Sequence, residues 1–469
     1  MEVMDKLFSY FSLEELNVCE RVCSRWSEII VNRRWFPYVS RLADGDAVVR
    51  NKLLEETGFT GRRERHAENR AAYILMKKKL ANNNWSSVKQ TTWEQDQSSE
   101  AKFLSISFTP RTSRAFVMLS DHSVIEFNLD SMKTEREILR PTDVVCEGDV
   151  VGASDAGFDK GFPPPMSIWE HFLFYVTYCG KGAVWDVNLN RKVTAFKVPV
   201  DEGDGKGGAF VVSAAANSRL YCALSRWKIY VYWHGGDPTS GCLNRPPHAI
   251  VPDFPELIDS GVEITNYLTM YRVRMNEGFV VTLGCAPDSE MDSMNGGIHV
   301  REVTTENSGA IATRVISAYN GGEAIEVRMT EPPNRSSLMA VLFIRDQSYF
   351  IRVYRLRDLS VLREMSWSTS FLSEVHIPVQ FLPSPSEDLL LLKEVPSKTD
   401  LDGPDSDAAD VTFSVLDVNS GTETSIPSPR MRFVMDVVAA VSRFRIVRLH
   451  SDNGNGDEPT AVTSYDFWD

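Results

Sequence analysis

The chain has 469 residues, of which 43% are hydrophobic and 24% charged, an ordinary balance for a folded protein with a sizeable core and room for more than one domain. Its formal net charge of −14 is carried unevenly: residues 1–100 hold 16 Lys/Arg against 15 Asp/Glu, leaving 34 against 49 beyond them, a surplus of −15. A surface of that sign repels phosphate backbones, so nucleic acid is not expected as a main partner.

Near the start, Asp5, Lys6, Glu14 and Glu15 interrupt any apolar run, and no secretory leader is expected. Residues 3–83 show apolar side chains at helical spacing without strand-like alternation. Ser12 ahead of Leu13-Glu14-Glu15 makes a capping box, in which the hydroxyl accepts from the Glu15 N–H and the Glu15 carboxylate reaches back. Leu16, Cys19, Val22, Cys23 and Trp26 then form one apolar stripe, with a break expected near 22–24. After Pro37, a helix is predicted over 46–57, stopped by Gly58. A further one over 63–81 stops at Asn82-Asn83-Asn84. The charge run Arg62–Arg70 reads as a solvated helix face, with contact to an acidic partner as the sharper alternative.

From Trp85 the character changes to short Val/Ile/Phe/Tyr segments between Gly, Asp, Asn and Ser clusters, the pattern of many antiparallel strands. A loose repeat emerges: a strand ending in an apolar or aromatic residue, then Asp or a turn, then another strand. Its instances are Ser123–Asp130, Gly182–Asn188, Lys228–Trp233, Gly297–Val303, Phe350–Leu356, Thr412–Asn419 and Ala461–Phe467. Seven recurrences of a four-stranded unit predict a β-propeller of about seven blades; two or three β-sandwiches fit the strand content but not the recurrence. The last instance lacks an outer strand, and residues 85–94 are the expected supplier, which closes the ring and removes both edges. Between strands, Asp201–Gly208 and Lys398–Asp410 lack packing residues and are expected to be mobile. Arg140–Pro165 is a long insertion.

Seven cysteines occur at 19, 23, 146, 179, 222, 242 and 285, an odd number with no CxxC pair. They read as buried thiols of a reducing compartment, which makes cytoplasm or nucleus the expected location. Apolar runs such as Leu338–Ile344 fall far short of the ~20 residues a bilayer requires, so no membrane association is expected. The eight histidines are scattered singly, and no phosphate loop, HExxH, GxSxG or carboxylate pair appears. Neither catalysis, nor a metal, nor a cofactor is expected. Asn334-Arg-Ser336 matches a glycosylation sequon by chance on this reading.

The run Leu7-Phe8-Ser9-Tyr10-Phe11-Ser12-Leu13-Glu14-Glu15-Leu16, followed by Cys19, Val22-Cys23 and Arg25-Trp26, resembles the F-box family over residues 3 to about 40. The Leu-Pro pair usual before that family's first helix is absent here, which leaves the strength of docking open. The resemblance implies a small all-α module over 1–42 that docks on the Skp-family adaptor of cullin-RING ubiquitin ligases, a helical linker over 43–84, and a propeller over 85–469 that holds a protein substrate. Val3, Leu7, Phe8, Leu13, Leu16 and Val22 are the implied adaptor-facing residues, and Cys19, Cys23 and Trp26 the implied module core. The physics agrees: a helical hairpin of this size cannot bury every apolar anchor itself. Each anchor contributes ~1.5–3 kcal/mol when covered, against ~4–15 kcal/mol lost on association. The strand region resembles WD-repeat propellers weakly, through Trp185-Asp186 and little else. The alternative function is an interaction scaffold whose helices serve only a structural role.

Overall fold

A computed structural model describes residues 4, 7–8, 13–62, 65–82, 89–94, 103–108, 112–119, 121, 123–140, 166–176, 180–198, 211–218, 220–225, 228–233, 249–252, 272–276, 278–287, 294–302, 312–316, 323–330, 334, 336–345, 348–368, 375–382, 388–395, 412–426, 437–442, 444–450 and 461–468. The Ser12 end of the capping box and the segments 141–165, 201–208 and 398–410 lie outside them.

Helices α1 (Leu13–Cys19) and α2 (Ser24–Ile30) are separated by a turn, and a π-helical turn, Val31–Trp35, carries α2 straight into α3 (Phe36–Gly45). The helical path thus continues through Pro37, where the sequence suggests a boundary. Pro37 stands two residues past the π-helical turn, inside a run that is helical on both sides, so the local widening of the helix and not a helix start accompanies the residue that has no N–H. Asp46 caps α4 (Ala47–Thr57), accepting from the N–H groups of Val48 at 2.9 Å and Val49 at 3.2 Å. Gly58 ends α4 at φ 70°, the left-handed position that an L side chain resists. A final helix, α5, spans His66–Asn82.

The strands form seven four-stranded antiparallel sheets. Taking the inner strand first, blade 1 is Phe103–Phe108, Arg114–Leu119, Val124–Asn128 and Lys133–Leu139. Blade 2 is Met166–Trp169, Phe172–Val176, Lys181–Asp186 and Arg191–Lys197. Blade 3 is Val211–Ala216, Leu220–Ser225, Lys228–Trp233 and Ala249–Pro252. Blade 4 is Arg272–Met275, Phe279–Pro287, Met294–Glu302 and Ala312–Ile316. Blade 5 is Glu323–Met329, Leu338–Arg345, Ser348–Arg355 and Val361–Ser368. Blade 6 is Val375–Phe381, Leu389–Val395, Thr412–Asp417 and Glu423–Ile426. Blade 7 takes Val437–Ser442, Arg445–His450 and Ala461–Asp466 from the end of the chain, and its outer strand, Lys89–Glu94, from the beginning. That strand pairs in register from Lys89 opposite Asp466 to Glu94 opposite Ala461, so the sheet edge is covered and the seven-bladed propeller closes on itself.

One local device explains the repeat seen in the sequence. The residue at the end of the third strand is followed, in blades 1, 2, 5, 6 and 7, by an apolar side chain that is buried: Leu129, Val187, Leu356, Val418 and Phe467. Its backbone N–H donates into the preceding hairpin, to the carbonyls of Ser113, His171, Ser337, Asp388 and Phe444. In blades 1, 2 and 6 the Asx side chain just before it, Asn128, Asp186 or Asp417, accepts from two N–H groups of the following turn. Gly182 has a different necessity. A Cβ there would lie 2.3 Å from the Phe196 ring, which packs directly on the backbone.

Adjacent blades are joined by apolar seams, such as Phe174 and Val184 against Tyr221 and Tyr232, or Ala340 and Leu342 against Leu390 and Leu416. Polar straps also cross between blades: Arg114 of blade 1 to Asn188 of blade 2, Asn217 of blade 3 to the Asn276 carbonyl of blade 4, and Arg363 of blade 5 to the Asn419 carbonyl of blade 6, each at 2.7 Å.

The helices are not an appendage. Their core, which includes Ile30, Trp35, Val39, Leu53, Tyr73 and Met76, also takes in Phe444 and Trp468 of blade 7. Trp468 is fully buried, its ring lying edge-on to Phe444 with centroids 4.9 Å apart. Its indole N–H donates to Glu56 of α4 and its carbonyl accepts from Lys79 of α5. Trp468→Ala is expected to destabilise the protein by about 3–5 kcal/mol, since it empties a packed site and leaves Glu56 without its indole donor. A urea midpoint unchanged from wild type would show that this indole is not part of a shared core.

Candidate partner-binding surface

Two parts of the molecule bear on function: the helical face that carries the N-terminal motif, and the joint that fixes this face to the propeller.

On the helices, the motif's apolar residues divide. Phe8 and Leu16 are buried in the chain's own core, Phe8 with its ring edge-on to Trp26 at 5.4 Å. This corrects the expectation that they stand free as anchors. The module is larger than a hairpin, because α3 to α5 and the two blade-7 aromatics supply enough apolar surface to cover them. Leu7 and Val22 do stand out in solvent, 44% and 60% exposed. Val3 lies outside the described residues, and of Leu13 only the backbone, in α1, is described.

Cys19 and Trp26 are half-buried against the helical core, whereas Cys23 is exposed. Cys23 therefore is not the core thiol expected of it. It sits at the cap of α2 with extended backbone, φ −160° and ψ 162°, which turns its side chain out of the helix stripe. The sequence stripe also passes over Val18, which is the most exposed large apolar residue described, at 66%. Its signal is its place one turn before Val22 on the face opposite Leu16. Leu7, Val18 and Val22 are the exposed large apolar side chains described before α3.

The joint is electrostatic as well as apolar. Lys89, Asp466 and Arg445 lie opposite one another across three strands of blade 7 and so share a face. The Arg445 guanidinium reaches Asp466 at 3.2 Å and Asp130 of blade 1 at 2.6 Å, and the second Asp130 oxygen accepts from Asn51 of α4 at 3.2 Å. Charges thus alternate along a line that joins two blades and a helix. Burial pushes the Asp130 carboxyl up, but the nearby Ser113 hydroxyl and the hydrogen bond and charge of Arg445 outweigh it and hold the group below the usual range. Together with Val48, Lys52, Thr91 and Met132 these residues line a cleft of about 330 Å³.

Beside that line, the Ser442 hydroxyl of blade 7 donates to the second oxygen of Asp46, the cap of α4. Burial raises the Asp46 carboxyl from 3.8 to about 6, opposed by hydrogen bonds from Ser442, Val49 and Val48 and by the Arg445 charge.

The two strand arginines Arg328 and Arg352 of blade 5 do not converge. Arg352 lies in register with Val341 and Val327, whereas Arg328 is in register with Ala340 and Val353, so the two emerge on opposite faces of blade 5. Arg352 pairs with Glu364 at 2.5 Å and Arg328 with Glu326 at 3.0 Å. Arg274 belongs to the blade-4 face shared by Val281 and Val300. Of Arg272 only the backbone is described. Among the described residues, no three His, Cys, Asp or Glu side chains are grouped as a metal site requires, and no helix is long and apolar enough to cross a membrane. The sequon asparagine, Asn334, spends its amide on the Leu382 carbonyl of blade 6 at 3.1 Å.

Asp46 supplies a pH test of the joint. Its folded-state value lies above the unfolded 3.8, so its contribution is complete below about pH 4 and is lost as pH rises through about 6. Relative to Asp46→Asn, wild type is expected to lose about 2 kcal/mol between pH 4 and pH 7, most of the full effect of a rise from 3.8 to about 6 at 1.36 kcal/mol per pH unit. Urea titrations of the two proteins across that range measure the difference. Parallel profiles would contradict a buried carboxylate at this seam.

No protein-family model matches the chain, and no curated protein sequence matches it. Among solved structures, that of U3-55K is similar at 11% identity, over 80% of this chain and 98% of that one, with a TM-score of 0.47. The WD40 repeats of RRP9 are similar at 11% identity, over 81% and 99%, with a TM-score of 0.47. The β-propeller domain of Myceliophteria thermophila Cps50 (Swd1) is similar at 8% identity, over 80% and 99%, with a TM-score of 0.45. Likeness at this level carries no argument about this chain, whose seven-bladed architecture rests on its own strand order.

Proposed function

We propose that this chain is a non-catalytic substrate-receptor subunit of a cullin-RING ubiquitin ligase. Its N-terminal helices dock on a Skp-family adaptor, and the propeller holds the protein to be ubiquitinated, in the cytoplasm or nucleus. The observation that supports this is the exposure of Leu7, Val18 and Val22 on a well-packed helical module whose sequence resembles the F-box. Isolated aliphatic side chains on a surface need no explanation, but three within sixteen residues at the start of a packed module are apolar contacts that a partner can cover. The joint at Trp468, Asp46 and Arg445 gives such a receptor what it requires, a constant relation between the docked adaptor and the bound substrate.

The second reading is a propeller scaffold in which the helices only complete the core. The burial of Phe8 and Leu16 together with Trp468 favours it. Co-expression with a Skp-type adaptor separates the two. The receptor reading expects a complex that survives gel filtration and is lost in Val18→Asp/Val22→Asp, with the melting temperature unchanged because both positions are exposed. A well-folded wild-type chain that never retains the adaptor would leave the scaffold.

A further inference from the structure

Among the described residues, seven large apolar side chains are strongly exposed: Leu7, Val18, Val22, Leu54, Ile74, Leu189 and Val361. Five of the seven lie in the helical part of the chain. One of them, Ile74, stands on a face of α5 beyond the patch formed by Leu7, Val18 and Val22. Ala67, Arg70, Ala71, Ile74 and Lys78 are exposed and recur at steps of three and four, so they form one stripe along the helix. The opposite stripe, Asn69, Ala72, Tyr73 and Met76, is buried in the helical core.

The charge of this region is opposite to that of the chain. Residues 62–79 contain seven Lys/Arg against two acidic residues, Glu64 and Glu68, a net +5 in a chain of −14. The stripe is also continuous with the N-terminal patch. Arg70 lies 3.4 Å from Glu20, which sits in the turn between α1 and α2, two residues from both Val18 and Val22. Arg21 and Arg25 beside that turn are exposed as well. A surface running from Val18 and Val22 across Arg70 to Ile74 therefore mixes aliphatic side chains with arginines, which are enriched at the contact centres of protein interfaces.

We propose that this α5 face is a second contact for the partner that covers Val18 and Val22, and that the partner is a protein with an acidic surface set with apolar side chains. The proposal rests on the adaptor reading above and names the chemistry of that adaptor's far edge. Charge complementarity selects the occupant. A nucleic acid would meet the −15 carried beyond residue 100 and gain nothing from three aliphatic side chains. A lipid surface would find one isoleucine and two alanines along α5, too little apolar area to insert.

The test uses the full chain and a purified Skp-type adaptor, titrated calorimetrically at low and high salt. The variant Arg70→Gln/Ile74→Ala is expected to weaken binding roughly tenfold or more and to reduce its salt dependence, with the melting temperature kept. Lys78→Glu, which leaves the contact to Glu20 alone, is expected to weaken binding several-fold through charge. If Val18→Asp/Val22→Asp abolishes binding but the α5 variants bind as wild type, the adaptor reading stands and this proposal falls. If the wild-type chain does not bind the adaptor at all, both fall. Self-association in sedimentation that is lost in Ile74→Ala, or pelleting with phosphatidylserine vesicles that depends on Arg70 and Ile74, gives the face to another occupant and overturns the proposal.

Discussion

Trp468 belongs to the propeller by sequence, two residues past its last strand, yet its indole is sealed inside the helical core. The arrangement of the two halves follows from that burial. An aromatic side chain of this size brings a large apolar area out of water, and its N–H and carbonyl are answered by Glu56 and Lys79 from two different helices. Phe444, from the hairpin beside it, extends the same core. Rotating the helices on the propeller would have to open this packing, so a hinge is not available at the joint. The strand Lys89–Glu94 reinforces it, because the chain leaves α5 and enters blade 7 within a few residues.

The polar contacts around that core act in the same direction but by another mechanism. Asp46 is both a helix cap and the acceptor for Ser442, so the start of α4 is set by a group on blade 7. Arg445 holds carboxylates from blade 7 and blade 1, and the blade-1 carboxylate in turn holds Asn51. Buried ion pairs of this kind add little net stability, because desolvation offsets most of the attraction. Register between helices and propeller comes from the hydrogen bonds that cross the joint: any other seating of the helices leaves the buried Asp46 carboxyl without the Ser442 hydroxyl and Asp130 without the Asn51 amide.

Much of the propeller is legible in the sequence, because its repeat is made of local chemistry. An Asx turn followed by an apolar residue leaves the same mark at Asn128-Leu129, Asp186-Val187, Asp417-Val418 and Asp466-Phe467. The missing outer strand can be inferred because an unpaired edge is costly. The helical surface is less legible. Burial of Phe8 and Leu16 depends on a core that includes Phe444 and Trp468, more than four hundred residues away, and helical periodicity carries no information about such contacts. Val18 escapes notice because it lies off the apolar stripe, whose members Leu16, Cys19 and Trp26 pack on the core while Val22 and Cys23 stand exposed. Pro37 suggests a boundary, yet the helical path runs through it just after a π-helical turn that no sequence pattern announces.

Whether the helices and the propeller behave as one body is tested most directly by hydrogen exchange followed by mass spectrometry. Buried α4 and α5 amides and those of the Arg445–His450 and Ala461–Asp466 strands should share the same protection and lose it together in rising urea. Helical amides that exchange freely while the blade-7 strands stay protected would mean two independent units, and the fixed geometry described here would not hold.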